Sequence, residues 1–276
     1  MTTLITGGAS KIGVALAKSL QADGRDVLFA SRSGRVPDGF KSVKLDWDER
    51  STFENPFGSE KGQIQSVYLL PPPATPDPSI ILNSFIDIAV NKDVKRIVVL
   101  FSSVVERKKS GIEYLILRPT WFIDNFITNH GFNIRTKDTF VTAVPTGKVP
   151  LVAIQDIATA AYEAIVAEKL PAKDKVIVGP EAKTYDEWAN VLSGVLGRTI
   201  IHQKTPRGNL IDMYKQFGIP AAYAEWLTEI EQRVESGWEH DMLQKLEEGE
   251  KERLFVGTVT VESWATENAK ELKSEG

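Results

Sequence analysis

The chain of 276 residues contains no cysteine, only three histidines and only three methionines. Without thiols there are no disulfides, no thiolate zinc sites and no cysteine nucleophile, and the sequence carries no sign of an oxidising compartment. His130, His202 and His240 are far apart and never at ligand spacing, so no metal site is expected. Long hydrophobic runs are also missing, and no segment approaches the roughly 18 consecutive apolar residues of a membrane span. The opening Met1-Thr2-Thr3-Leu4-Ile5-Thr6-Gly7 has neither a basic start nor a long apolar stretch. It reads as a first strand and not a signal peptide, with a cytoplasmic location as the default. Excess charge of one sign is absent: 33 Lys and Arg stand against 37 Asp and Glu, for a net charge of −4. The most basic run, Arg107-Lys108-Lys109, is short and reads as a solvated loop. No nucleic-acid partner and no membrane are therefore expected.

What is present is a chain able to bury a core, 42% hydrophobic and 25% charged. Strand and helix patterns alternate. Thr2–Thr6 is β-prone and ends in Gly7-Gly8. Lys11–Ala22 follows with Ile12, Leu16 and Leu20 on one stripe, stopped by Asp23-Gly24. Further strands are predicted at Asp26–Ser31, Phe40–Leu45, Ser66–Leu70, Arg96–Phe101 and Tyr114–Leu117, with an apolar-striped helix at Ile80–Asn91. Near-continuous apolar runs such as RIVVLF fit parallel strands covered on both faces. Repeated βα units of this length imply an α/β, Rossmann-type, doubly wound parallel sheet. After Pro119 helical and loop texture dominates. Lys148–Val152 and Lys175–Val178 are short strand candidates, and Tyr185–Leu196 is an amphipathic helix closed by Gly197. The stretch from Leu210 to Leu246 is helical, punctuated at Gly218-Ile219-Pro220. The expected organisation is a dinucleotide-binding domain over 1–150 and a smaller, mostly helical substrate portion over 151–276.

Thr6-Gly7-Gly8-Ala9-Ser10-Lys11-Ile12-Gly13 sits between a predicted strand and a predicted helix. A glycine turn there lets backbone N–H groups approach a diphosphate at a helix N-terminus, where the dipole favours negative charge. Gly7, Gly8, Ser10, Lys11 and Ile12 are thus cofactor candidates, with Ser10 standing where this motif commonly has glycine. The second strand ends Ala30-Ser31-Arg32-Ser33-Gly34-Arg35. No carboxylate is present to accept from a ribose 2′-hydroxyl, whereas guanidinium and hydroxyl groups suit a 2′-phosphate. Ser31 and Arg32 therefore favour NADP(H) over NAD(H). Asp46 and Trp47 follow the third strand, where they can meet adenine. Leu70, Pro71 and Pro72 follow the fourth, Ser102 the fifth, and Pro119 closes the sixth. All lie where such a fold places its ligand, beyond the carboxyl ends of the strands.

At Leu117-Arg118-Pro119-Thr120-Trp121-Phe122-Ile123-Asp124-Asn125-Phe126 the sequence resembles the NmrA-like, atypical branch of the short-chain dehydrogenase/reductase superfamily. The glycine loop, Ser31-Arg32, Asp46-Trp47, Lys148-Val149-Pro150, Asp156-Ile157-Ala158 and Thr184-Tyr185-Asp186-Glu187 carry the same resemblance, which extends from residue 1 to about 265. Within the branch the chain is similar to the fungal ergot-alkaloid reductases, the festuclavine and agroclavine dehydrogenases, with which it shares the Gly218–Ala224 stretch. The resemblance implies an NADP(H)-dependent oxidoreductase acting on a small aromatic or alkaloid-like molecule.

Two features depart from the wider superfamily. No tyrosine has Lys four residues on, so the usual Tyr-x-x-x-Lys proton donor is absent, and no catalytic side chain is assigned. Hydride addition to an iminium needs no proton on oxygen, and positioning in a dry pocket supplies the catalysis. Between Ser102-Ser103 and Tyr114 only about ten residues remain, too few for an ordinary crossover helix. Either the helix is deleted or a flexible segment of 103–113 is omitted; the second is the expectation.

Trp121, Phe122, Asn125 and Phe126 follow the sixth strand and are the substrate candidates, because aromatic walls suit a flat ring and a cation. Phe122 and Phe126, one helical turn apart, fit plain core packing equally well. Tyr223 joins them from a second aromatic set with Tyr214, Phe217, Trp226 and Trp238, whose helical spacing also fits packing. His202 reads as structural, and Glu229 and Glu231 as a solvated helix face. The leading expectation is reduction of a C=N (iminium) bond in an alkaloid-like substrate. The alternatives are an NADPH-dependent quinone or C=C reductase and a non-catalytic, NmrA-like dinucleotide sensor. A homodimer is compatible with the sequence.

Overall fold

The structure is a computed structural model and describes residues 1–58, 63–72, 75, 77–100 and 112–273. Ser102, the Arg107-Lys108-Lys109 run and the connection through residue 111 lie outside the described residues. Two compact units divide the chain, one formed by Met1–Pro119 with Ile157–Val176, the other by Thr120–Asp156 with Ile177–Gly276.

The first unit begins with β1 (Thr2–Thr6), α1 (Lys11–Ala22), β2 (Asp26–Ser31) and β3 (Lys41–Lys44). It continues with β4 (Ile64–Leu69), α2 (Ser79–Asn91), β5 (Arg96–Leu100) and β6 (Glu113–Pro119). The pairings β1 with β2, β1 with β4, β2 with β3, β4 with β5 and β5 with β6 are all parallel. In space these strands run β3-β2-β1-β4-β5-β6, the doubly wound order in which strand succession reverses beside β1. Leu4, Ile5, Val67, Leu69 and Val98 are fully buried, as apolar runs covered on both faces require. The doubly wound parallel sheet and the α/β class were expected.

The later elements are α3 (Asn125–Thr128), α4 (Gly131–Lys137), β7 (Thr139–Thr142), β8 (Lys148–Val149), α5 (Ile154–Val166) and β9 (Asp174–Val178). After them come β10 (Lys183–Thr184), α6 (Tyr185–Leu196), β11 (Ile201–Lys204), α7 (Arg207–Gln216), α8 (Ala221–Glu235), α9 (Trp238–Gly249), β12 (Leu254–Val256) and α10 (Val261–Glu267).

The expected single cut at residue 150 differs from this interleaved division, and the two units are nearly equal in length. Arg96 supplies a physical reason. Its buried guanidinium donates to the carbonyls of Ala164 at 2.9 Å and Ile165 at 3.2 Å, and to that of Ala167, while pairing with Glu113. The last carbonyls of a helix have no intrahelical donor. One cation at the start of β5 therefore ties the end of α5 to the first unit, across about 70 residues of sequence.

In the second unit, the buried Trp188 and Trp264 share a core with Phe126, Phe140, Tyr185 and Leu192. The α6 helix opens on a capping box, with Thr184 Oγ1 accepting from Glu187 N and the Glu187 carboxylate accepting from Thr184 N, and closes on left-handed Gly197. Two small pairings complete it, β11 parallel to β7 and β10 antiparallel to β8. The strand β7 falls in a stretch where no strand was expected. The helical stretch expected from Leu210 to Leu246 is interrupted at Gly218-Ile219-Pro220 as expected, and a second time at left-handed Gly237, giving three helices.

Candidate functional site

Each unit presents one candidate region. In the first, the turn after β1 carries Gly7 at φ +86° and Gly8 at φ +54°, in the left-handed region that glycine adopts without steric cost. A Cβ on Gly7 would lie 2.5 Å from Leu70 Cδ2, and one on Gly8 would lie 3.0 Å from Ser31 Oγ. The turn is thus held between the ends of β4 and β2. Thr6, fully buried, fastens the first of these contacts: its Oγ1 accepts from Leu70 N at 2.7 Å and donates to Leu70 O at 3.2 Å. Ser31 Oγ donates to Arg35 O at 3.3 Å and folds the loop after β2.

Ser10 is the N-cap of α1, accepting from Gly13 N at 3.2 Å. A serine in place of glycine here organises the helix start, leaving the first-turn amides of Lys11 and Ile12 without intrahelical acceptors. Gly13 lets α1 approach β1, since a Cβ there would lie 3.1 Å from Ile5 Cγ2. Arg32 and Arg35 are exposed, and neither forms an ion pair among the described residues. Asp46 makes a tight turn, its Oδ1 accepting from Asp48 N at 3.1 Å. Trp47 is half-buried and packs edge-on against Phe53 and Phe85, with ring centres 5.6 and 5.7 Å away. Pro71, Pro72 and Pro119 are half-buried at the ends of β4 and β6.

A diphosphate-bearing nucleotide fits this set on the structure's own terms. The cradle at Gly7 and Gly8 is one that any Cβ would fill. The α1 N-terminus supplies amides, and the free guanidiniums stand after β2. Thr6 is the residue that sequence reasoning missed. Its only sequence signal was a hydroxyl at the last position of β1, just before the glycine turn.

In the second unit a small, partly open cavity of about 10 Å³, room for about one water molecule, is lined by Trp121, Phe122, Asn125 and Phe126. Four of the five expected substrate residues are thereby brought together. Tyr223 is not in that lining; it stacks on Trp226 at 5.3 Å. Phe126 serves the core as well, meeting Phe140 edge-on at 5.2 Å. Of the second aromatic set, Tyr214 lines the cavity, whereas Phe217 and Trp238 are largely exposed.

The polar wall was not foreseen. Glu231 is 3% exposed and lines the cavity. The expectation of a solvated face holds for Glu229, which pairs with Arg233, and fails for Glu231. Ala224, Thr228, Glu231 and Val234 form the buried stripe of α8, and two residues' separation turns Glu231 about 200° away from Glu229 on a helix of about 3.6 residues per turn. Its Oε2 accepts from Ala143 N at 2.6 Å and its Oε1 from Tyr214 Oη at 3.5 Å. Burial pushes the carboxyl up to about 7 against those two bonds. Desolvation lowers His130 to about 4, with the charge on His202 adding to it. Burial raises the Tyr185 and Tyr214 hydroxyls. Thr142 Oγ1 meets His202 Nε2 at 2.9 Å, and His202 Nδ1 meets the half-exposed Asp186 at 2.8 Å. His202 is thus structural in position while also linking a cavity residue to a surface carboxylate.

The fold and the glycine turn define a nucleotide-binding α/β protein of the doubly wound class. The chain is 33% identical to an agroclavine dehydrogenase of Claviceps fusiformis, covering 94% of this chain and 96% of that one. It is 33% identical to festuclavine synthase II of Penicillium roqueforti, over 86% of this chain and 89% of that one. The chain belongs to the agroclavine dehydrogenase and festuclavine synthase family of oxidoreductases. No family model matches it. Among solved structures, the NADPH-dependent quinone oxidoreductase of Escherichia coli complexed with NADPH superposes with a TM-score of 0.73 at 17% identity, over 97% of this chain and 99% of that one. The Citrobacter triphenylmethane reductase complexed with NADP(H) gives 0.66 at 18% identity, over 86% and 90%. These two share the fold. Among the described residues no helix is long and apolar enough to cross a membrane.

Proposed function

We propose that the chain is an NADPH-dependent reductase of a C=N (iminium) bond in an alkaloid-like substrate. The observation that carries this reading is the Gly7-Gly8 cradle followed by an exposed Arg32 with no acidic residue from Ser31 to Arg35. When bound, the cofactor supplies a hydride equivalent, which turns an iminium carbon into an amine without any proton transfer. In this reading Gly7, Gly8, Ser10, Lys11 and Ile12 hold the diphosphate, and Ser31 and Arg32 hold the 2′-phosphate. Asp46 and Trp47 border the adenine, while Leu70, Pro71, Pro72 and Pro119 border the nicotinamide half. Trp121, Phe122, Asn125 and Phe126 hold the substrate ring. The names of the dehydrogenase relatives and of the two NADP(H)-bound structures support the reading.

A second reading, reduction of a quinone or C=C bond, requires a proton. The Thr142–His202–Asp186 chain favours it, because it joins the cavity wall to a surface carboxylate. NADPH oxidation followed in parallel with cyclic iminium salts, quinones and enals tests both. Turnover of the iminium salts supports the first, and turnover confined to quinones or enals overturns it for the second. Tight NADPH binding with no turnover of any of them overturns both in favour of a dinucleotide sensor.

A further inference from the structure

The second-unit cavity has the volume of one water, and its wall is polar as well as aromatic: Thr142, Tyr185, Tyr214 and Glu231 stand beside Trp121. Holes of this size stay dry where they are apolar and hold water where polar groups converge. Two groups on this wall are short of partners. The Trp121 indole N–H is buried with none among the described residues. Glu231, almost fully buried, has about four acceptor sites as a carboxylate and receives two donors, Ala143 N at 2.6 Å and Tyr214 Oη at 3.5 Å. A buried donor and a buried acceptor left short each cost free energy.

Thr142 leads from the same wall to the surface. Its Oγ1 meets His202 Nε2 at 2.9 Å, and His202 Nδ1 meets Asp186 Oδ1 at 2.8 Å. Hydrogen bonds from Lys204 and His202 hold Asp186 below the usual carboxylate range, so Asp186 accepts from Nδ1–H. Burial lowers His202 and keeps it neutral near pH 7, so its lone pair lies on Nε2 and takes the Thr142 hydroxyl proton. Thr142 Oγ1 accepts from Val144 N at 3.1 Å with one lone pair and keeps the other. A water that donates to Thr142 Oγ1 and Glu231 and accepts from Trp121 Nε1 makes three bonds, the usual number for a buried one.

We propose that this cavity is a binding site for one ordered water, and that the water completes a proton route between the buried Glu231 carboxyl and the surface at Asp186. Outward, Glu231 gives its proton to the water and the water gives one of its own to Thr142 Oγ1. The Thr142 hydroxyl proton passes to His202 Nε2 while the Nδ1 proton passes to Asp186, from which solvent takes it. The water and Thr142 are regenerated, His202 changes tautomer, and one proton has moved; the inward step reverses each bond and restores the tautomer. Reduction of a quinone or C=C bond consumes such a proton and reduction of an iminium does not. The inference itself stands on the geometry of the second unit and on neither reading.

A crystal structure of the full chain tests the water. One peak within about 3.2 Å of Glu231, Thr142 Oγ1 and Trp121 Nε1 is expected; a dry cavity, or a water touching neither Glu231 nor Thr142, overturns the proposal. Infrared spectroscopy tests the route. Burial pushes Glu231 up to about 7, so at about pD 6 it is protonated, and its C=O stretch moves to lower frequency when deuterium replaces the proton. Loss in Glu231→Gln identifies the band. Glu239, pushed up to about 8, gives a second band as an internal control, identified by its loss in Glu239→Gln.

After rapid mixing into D₂O, Thr142→Val should slow the Glu231 shift at least tenfold, and Thr142→Ser, which keeps the hydroxyl, should leave it within threefold. Asp186→Asn, at the half-exposed end, should slow it as well and decides the matter if Thr142→Val fails to fold. The Glu239 band should keep its rate in all three. An unchanged Glu231 rate in Thr142→Val or Asp186→Asn overturns the route. Equal slowing of both bands also overturns it, because that marks slower opening of the whole unit.

Discussion

In the first unit the cofactor candidates belong to turns that follow adjacent strands, and most are placed by the backbone. Gly7, Gly8 and Ser10 lie within four residues of one another, and Ser31 and Leu70 meet them because β2 and β4 flank β1. In the second unit the cavity wall is assembled from side chains of α3, β7, α6, α7 and α8, separated by up to about a hundred residues. A site made of backbone is sensitive to a single Cβ, whereas a site made of side chains is sensitive to charge and solvation. That difference predicts distinct responses to substitution.

The largest effect is expected at Gly7. Gly7→Val places a β-branched side chain in a left-handed conformation, costing roughly 1–2 kcal/mol, and drives it into Leu70. NADPH and NADH affinities should both fall more than a hundredfold in a fluorescence titration. Retention of either within threefold would show that the turn does not hold the dinucleotide. Arg32→Ala sharpens the same half of the comparison. Losing a charge-assisted contact worth about 1.5–3 kcal/mol should weaken NADPH some 10- to 100-fold and leave NADH unchanged. Equal losses would remove the 2′-phosphate assignment.

Charge rather than shape should control the second unit. Burial pushes Glu239 up to about 8, and its Oε2 has no partner among the described residues. A carboxyl whose folded pKa is raised contributes stability that is present at low pH and lost as pH rises through the folded value. Between pH 6.5 and 8 the folded form keeps a proton that the unfolded chain has released. Unfolding free energy should therefore fall by roughly 2 kcal/mol across that window, with Glu231 adding to the fall below pH 7. Glu239→Gln should flatten most of the slope in urea titrations; an unchanged slope would show that Glu239 ionises freely. Below pH 6.5 the sign reverses for His130. Its lowered pKa gives stability that is lost as pH falls toward about 4. The smallest effect is local: Thr184→Ala removes one half of the α6 capping box and should cost about 1 kcal/mol, read as a lower thermal midpoint with NADPH affinity unchanged.

Legibility in the sequence follows the same line. Asp26–Ser31 and Tyr185–Leu196 have the bounds expected from their patterns, because an apolar run closed by a turn and a capped amphipathic stripe are local signals. The β1–Gly7–α1 passage was legible for the same reason. Thr6 was not, since its role appears only where β4 brings Leu70 alongside. The strand β7 was missed because TFVT is short and is completed by β11, some 60 residues later. Glu231 departs from the solvated face expected of acidic residues because it falls on the buried stripe of α8 with Ala224, Thr228 and Val234. Tyr223 was grouped with the cavity on composition, and its ring stacks on Trp226 instead.

The sequence by itself determined the strand and helix alternation, the glycine turn, the cationic loop after β2 and the family, because each is written in residues close together along the chain. Tertiary structure alone decided that α5 returns to the first unit through Arg96 and that the buried Glu231 carboxyl lines the second-unit cavity. Those outcomes depend on which distant groups lose water together, and desolvation is a property of packing that no local pattern encodes.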